Sequence, residues 1–473
     1  LQDKNKVASG DNMLNKIKLG VSIAAIAFLP AAHAVGISLM EVSVSGMGNG
    51  FAGSTAEAND AAVLYYNPAA LTRFKKAEQV AAAVTIQIKA EFQDSPAGSN
   101  GGPGNAVYER DPNYAFAPNN FFAFPVNDRL TLGFGISGSA GLILRYPNEY
   151  PGRLQSKSTD IKVTRVNGAL AYKLTPEWSV GANLSVERFF QSIRSDVDYA
   201  KAASVEQGLN GLFGTVLNNP LAGEAFFTST GSNRTVPLKL RLFGTQANVQ
   251  LGTLFEPTDN TRLGLSYRPK TTFKLKGRYN FQAAHPDLLE TAAADLLTDG
   301  EVTQNITMPS EARASIYHKL SNGKTAVMAD VSRYDYSVIR NIEYSRTDGS
   351  TLKNYVQNLK AGNRYAIGMN HALYKRLTLR AGLSHDEATS TDRYRVTALP
   401  DQARTSIHLG LGFQLSPKDW VDVAYQVSMF KDARIQDRSD IQGQQGEKSY
   451  DGNLNGTVRT QAQFFGVQYH GYF

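Results

Sequence analysis

Few stretches of this 473-residue chain gather residue types that perform chemistry. Gly48-Asn-Gly50-Phe-Ala-Gly53 spells G-x-G-x-x-G, the spacing that lets backbone amides cradle a pyrophosphate. That use needs a strand before the glycines and a βαβ unit around them. Neither is present, so these glycines are read as permitting tight turns in a confined space. His385-Asp386-Glu387 is the densest group of metal-type donors. Three consecutive side chains rarely converge on one ion, which makes a solvated loop tip the simpler reading. The seven histidines include no H-E-x-x-H. The absence of cysteine removes disulfides, thiolate metal sites and thiol nucleophiles. No Lys/Arg block reads as a nucleic-acid patch, although the net charge is +7. The chemistry-bearing residues thus point to no enzyme, no metal and no cofactor.

The elements that would position any site are strands. Trp178-Ser-Val180-Gly-Ala182-Asn-Leu184-Ser-Val186-Glu187 alternates apolar and polar residues, as does Leu130-Thr-Leu132-Gly-Phe134-Gly-Ile136. The same period recurs at 263–267, 377–383, 407–413 and 421–427. Period two sends the two sets to opposite faces of a sheet. Charged residues are only 19%, glycine numbers 41, aromatics make 10%, and mean hydropathy is −0.30. No run reaches the roughly 20 apolar residues of a spanning helix. Residues 35–75 show no sustained alternation. Leu209, Leu212, Phe213, Val216 and Leu217 follow a helical apolar spacing, as do Leu288, Leu289, Ala292 and Leu296. Both pieces fall between strand patterns and are expected in long extracellular loops.

Alternation alone does not separate a soluble sandwich from a membrane barrel; the chain ends do. Met13 to Ala34 has a basic start at Lys16 and Lys18, an apolar core from Leu19 to Leu29, and Ala32-His33-Ala34 at its end. This is the pattern of a cleaved export signal, with Met13 as the natural start. The chain closes on Phe465-Gly-Val467-Gln-Tyr469-His-Gly471-Tyr-Phe473, an alternation ending in an aromatic residue. Together these features predict a transmembrane antiparallel β-barrel, apolar outward and polar inward. The terminal strand is expected to hand the chain to the barrel assembly machinery through Phe473.

Ala56-Glu-Ala-Asn-Asp60-Ala-Ala-Val-Leu-Tyr-Tyr-Asn67-Pro68-Ala69-Ala-Leu71 resembles the plug of the FadL/TodX family of outer-membrane transporters for hydrophobic compounds, with its Asn-Pro-Ala motif. Val35 to Glu41, Phe124-Pro125-Val-Asn127-Asp128, Tyr267-Arg268 to Lys276-Gly277, and Leu399-Pro400-Asp401-Gln402-Ala-Arg404 are similar to other segments of that family. The resemblance covers essentially all of residues 35–473.

The resemblance implies an all-β fold of about 14 strands: a leader over 1–34, an N-terminal hatch over 35–76, and a barrel over 77–473 with long extracellular loops. It implies a loop groove, placed here at Leu209, Leu212, Phe213, Val216 and Leu217, and a hydrophobic pocket at Ile37, Leu39 and Met40. A kinked third strand at Gly138-Ser139-Ala140-Gly141 would open the wall sideways. Fatty-acid members hold the carboxylate with two basic residues. The matching positions read Ser195, beside Arg194, and Glu343, near Arg340, which makes Arg194 and Arg340 the candidates after a small register shift. Taken literally, the mismatch favours a neutral hydrocarbon. The function implied is passive uptake of long-chain fatty acids or related hydrophobic molecules in the bacterial outer membrane. A hydrocarbon channel is the alternative, and a barrel hydrolase or adhesin is more remote. The expected partners are the hydrophobic substrate, membrane lipid and lipopolysaccharide, with the chain a monomer.

Overall fold

The computed structural model describes residues 38–99, 104–198, 235–282, 298–436 and 454–473. The leader, Ile37 and both amphipathic helical segments lie outside these residues. Fourteen strands form one closed antiparallel sheet. They are β1 Glu78–Asp94, β2 Asn113–Pro125, β3 Leu130–Arg145, β4 Ser158–Lys173, β5 Trp178–Asp198 and β6 Thr235–Thr258. β7 runs as Thr261–Arg268 and Thr271–Phe281, and β8 as Gly300–Met308 and Glu311–Lys319. β9 is Thr325–Tyr334, β10 Gly362–Tyr374, β11 Leu377–Asp386, β12 Arg404–Gln414, β13 Asp419–Phe430 and β14 Gly456–Tyr472. Pro269 and Pro309 interrupt β7 and β8, since proline cannot donate to the ladder. β1 pairs with β14 from Glu78–Tyr472 to Asp94–Gly456, which closes the ring.

The period-two pattern sets the faces. Leu184, Leu251, Leu265, Ile367, Leu409 and Phe465 point out and are half or more exposed. Their neighbours in register, such as Ser185, Gln250, Ser266 and Ser406, are buried inside. On a soluble protein so much exposed apolar surface would be an anomaly. Around a barrel it is the lipid-facing band. Short turns join strands at the end that carries Phe473, and the long connections lie at the other, the pattern of periplasmic turns and extracellular loops.

The segment from Ser38 to Phe74 lies inside the ring and is almost wholly buried. It contains two short helices, α1 Val44–Gly48 and α2 Val63–Tyr66, and a 3₁₀ helix Pro68–Arg73. Its apolar residues form one buried cluster with the inward side chains of β1 and β2. A second buried cluster fills the loop end of the lumen, with Leu142, Ile161, Ile193, Leu240, Phe273 and Tyr344 among its members.

Candidate functional site

The inner segment is seated on glycines of the wall. A Cβ on Gly264 would stand 2.0 Å from the Thr55 carbonyl oxygen, and one on Gly252 would stand 2.0 Å from Asn67 Oδ1. At Gly368 and at Gly382 a Cβ would come within 2.2 Å of the Asn49 carbonyl oxygen, and at Gly181 within 2.4 Å of the Ala69 nitrogen. At four of these five glycines wall backbone meets hatch backbone, and at Gly252 it meets the Asn67 side chain, which is itself held by hydrogen bonds. On the other side of the contact, Gly50 and Gly53 take left-handed φ values of 73° and 75°, and a Cβ on Gly53 would lie 2.9 Å from Met328. The G-x-G-x-x-G stretch therefore turns the chain tightly against the wall.

Asn67-Pro68-Ala69 has a definite task. Asn67 Oδ1 accepts from the Ala69 amide at 3.0 Å and caps the 3₁₀ helix, with Pro68 in the first turn, where its missing N–H costs nothing. Asn67 Nδ2 donates to the carbonyls of Thr55 at 2.7 Å and Thr253 at 3.0 Å, tying the segment to β6. Asp60 accepts from Gln468 of β14 at 2.8 Å and also from Ser45. Charges fix the rest. Arg404 of β12 pairs with Asp386 at 2.8 Å and lies 3.9 Å from Glu41 of the inner segment, all three buried. Arg262 donates to the Glu57 carbonyl at 2.6 Å. The Pro-Asp-Gln-x-Arg loop is a clip: Asp401 accepts from Ser390 N and Thr389 Oγ1, Gln402 donates to Thr460, and Arg404 reaches Glu41.

Burial outweighs the neighbouring guanidiniums and holds the Glu41 and Glu57 carboxyls above their ordinary range. A carboxyl whose folded-state pKa is raised stabilises the seated state below its unfolded pKa, and that stability is lost as pH rises through the folded value. Amide exchange in residues 38–74 is therefore expected to quicken relative to the wall between mildly acidic and alkaline pH. In Glu57→Gln that acceleration is expected to shrink.

The wall is interrupted beside this segment. β1 pairs with β2 from Asn113 to Ala123, whereas β3 pairs with β2 only from Asn120 to Pro125. Residues 113–119 thus have a ladder on one side, and Pro118 among them has no N–H to give. Across β3 and β4, Gly138 pairs with Thr164 and Ala140 with Val163, so Ser139 is an extra residue, a bulge. The upper half of β3 turns toward the inner segment: Ser38 bridges Ala140, and Leu39 N donates to Ser139 O at 3.0 Å. Gly138 N donates to Asn119 Oδ1 at 3.2 Å over the gap.

Ser38 also meets Tyr336 at 2.8 Å, and Tyr336 lines an apolar cavity in the loop-end lumen. Ile161, Ile193, Ile306 and Leu359 face it, and no lining residue carries a charge. Its free volume is about 30 Å³, so an acyl chain would have to displace side chains rather than fill a void. Two amides open onto it. Gln191 donates to Tyr344 at 2.8 Å but its oxygen has no protein partner among the described residues, and neither polar atom of the buried Gln357 has one.

Leu39 and Met40 are buried under this region, in the core of the inner segment, and do not line the cavity. Arg194 corrects its sequence reading: it is exposed on the outer face, because the strand period gives the lumen to Ser195. Arg340 is also exposed and is not in the cavity lining. Ile37 and the loop residues Leu209, Leu212, Phe213, Val216 and Leu217 lie outside the described residues. His385, Asp386 and Glu387 diverge, to Thr405, to Arg404 and to Asn363. The cavity itself escaped the sequence reading, because Ile161, Ile193 and Ile306 are single residues far apart along the chain.

Residues 24–473 match the family model of outer membrane protein transport proteins, OMPP1/FadL/TodX. The chain belongs to this family. It is 28% identical to outer membrane protein P1 of Haemophilus influenzae over 95% of this chain and 98% of that one. It is 26% identical to the long-chain fatty acid transport protein of Escherichia coli K12, over 88% and 92%. The fold matches a Pseudomonas aeruginosa FadL homologue with a TM-score of 0.78 at 20% identity, over 93% of this chain and all of that one. It matches the toluene transporter TodX of P. putida with a TM-score of 0.62 at 15% identity, over 94% and 99%. A FadL/TodX family member is an outer-membrane transport channel, not an enzyme, which disposes of the hydrolase reading.

Proposed function

We propose that this protein admits hydrophobic small molecules passively across the outer membrane and releases them sideways into the bilayer. The observation that carries the reading is continuity. The uncharged loop-end cavity reaches Tyr336, Tyr336 touches Ser38, and Ser38 sits on the bulge of β3 where pairing with β2 stops. The inner segment below it acts as the hatch, which turns a ligand from the periplasmic end toward the gap. A hydrophobic molecule gains roughly 0.8 kcal/mol per CH₂ removed from water, so a route that stays apolar needs no energy source. Relatives named for long-chain fatty acids and for toluene fit such a route. The exposed Phe473, whose amide donates to Ala77 O at 2.9 Å, suits the terminal strand for recognition during assembly of a monomeric barrel.

Deleting Ser139 removes the extra residue and lets β3 run straight beside β2. Labelled uptake in a strain lacking its own transporter is expected to fall at least tenfold, with the barrel still inserted. Undiminished uptake would refute the sideways route. The hydrocarbon reading has one specific support, the absence of a charged group in the cavity. For a fatty acid, Gln357 would be the polar handle. Gln357→Leu is expected to stabilise the empty protein by about 1 kcal/mol, because a buried amide without partners costs that much or more. The same change should weaken oleate binding several-fold while leaving toluene and alkane uptake unaltered. Arg194→Ala should leave oleate uptake unchanged.

A further inference from the structure

Two groups of basic residues on the outer wall contrast. Near the closing seam, Lys89 of β1 is 2.7 Å from Glu109, and Arg459 of β14 is 3.3 Å from Glu91 and 3.4 Å from Asp432. Each is neutralised where it stands. Across β5, β6 and β7 the outward positions at the loop end read Arg188 and Arg194, Lys239 and Arg241, Lys276 and Arg278. Register places Arg194 opposite Lys239 and Arg241 opposite Arg278. Arg194 and Arg241 flank Lys239 with like charge. Among the described residues none of these six has a carboxylate within 4 Å. The nearby carboxylates are engaged elsewhere or stand off: Asp160 is 3.8 Å from Arg145, Asp196 pairs with Lys157 at 3.2 Å and Arg153 at 3.6 Å, Asp299 accepts from Asn280 at 2.7 Å, and Glu301 lies opposite Arg278 in register. Like charges facing each other across a sheet repel, so this patch is unfavourable until an anion covers it.

Its level on the wall says what that anion is. Along β5 the outward residues from Trp178 to Val186 are apolar, about 26 Å of strand at 3.3 Å per residue, and Arg188 comes next. On β6, Leu251 and Val249 are followed toward the loops by Phe243, Arg241 and Lys239. The basic residues therefore stand just beyond the hydrocarbon band, where outer-leaflet head groups lie. A depression of about 440 Å³ opens there, with Arg145, Arg194 and Lys239 on its rim. Guanidiniums in pairs suit phosphate oxygens, and the apolar wall beneath suits acyl chains.

We infer that this face of the barrel binds the phosphorylated head group of an outer-leaflet glycolipid. Arg194, Lys239, Arg241 and Arg278 hold the phosphates, and the site is one-sided. It depends on the outer-membrane location and not on the transport reading, so a failed uptake experiment leaves it standing.

The test is native mass spectrometry of the full chain in nonionic detergent with bisphosphorylated lipid A, dephosphorylated lipid A or phosphatidylglycerol. Bisphosphorylated lipid A is expected to stay bound. The variant Arg194→Gln, Lys239→Gln, Arg241→Gln, Arg278→Gln should lower its occupancy at least tenfold, and Lys89→Gln with Arg459→Gln should not. Contacts inside the barrel are untouched by these outward changes on β5, β6 and β7, and heat-modifiable gel mobility reports that the barrel is folded. Equal occupancy in the quadruple variant overturns the site. Equal retention of dephosphorylated lipid A or of phosphatidylglycerol overturns the assignment of the head group.

Discussion

Gly264→Val is expected to unseat the hatch and turn a sealed barrel into a leaking one. The new Cβ would stand 2.0 Å from the Thr55 carbonyl oxygen and 2.7 Å from Thr55 Oγ1. Overpacking a filled core costs typically 1–3 kcal/mol, about the upper end or more where backbone must move. Here Thr55 also loses its hydrogen bonds to the Gly264 carbonyl at 2.9 Å and to Ser315 at 2.7 Å. The lipid-facing band is untouched, so insertion into the membrane continues. Single-channel conductance in planar bilayers should rise at least tenfold, and cells should become sensitive to large polar antibiotics. Gly168→Val supplies the control, because a Cβ there meets nothing within 4 Å. If both variants conduct like the parent, residues 38–74 do not seal the lumen.

The second large effect concerns a charge. Arg404→Met strands Asp386 and Glu41, both about 1% or less exposed. Arg364, 3.3 Å from Asp386, still answers one of them; Glu41 keeps only amide contacts, from Gln426 at 3.2 Å and Met40 N at 3.1 Å. Removing one partner of a buried pair costs about 3–5 kcal/mol, because the remaining charge is left in a low dielectric. The expected result is a thermal transition lowered by several degrees and rapid proteolysis near residue 41. Adding Glu41→Gln to Arg404→Met should return a large part of the loss. If the single variant is as stable as the parent, the Pro-Asp-Gln-x-Arg loop does not clip the hatch to β12.

The barrel was legible because period two needs no tertiary information: Leu184, Leu265 and Leu409 announce the lipid face one residue at a time. Sites that depend on which face a residue takes were harder. Arg194 and Ser195 are neighbours in sequence and stand on opposite sides of the wall; one residue of register decides between them. The stretch Gly138 to Gly141 stood out by its small residues, yet the extra residue is Ser139 and the missing ladder belongs to β2. Pro118 was the readable sign of that gap. The glycine seats could not be read, since Gly252, Gly264 and Gly382 look in sequence like any strand glycine, Gly168 included. The cavity draws on β4, β5, β8 and the 336–359 and 396–399 connections, residues that only the closed ring brings together.

The glycine seats also govern what can be exchanged between relatives. Each absent Cβ is matched to a hatch atom, the backbone of Thr55, Asn49 and Ala69 or the side-chain oxygen of Asn67. A stopper grafted from a cousin with only about a quarter of its residues in common therefore needs its own wall positions to travel with it. Chimeras split at residue 76 should fail where those strand residues differ and recover when they are exchanged as a set.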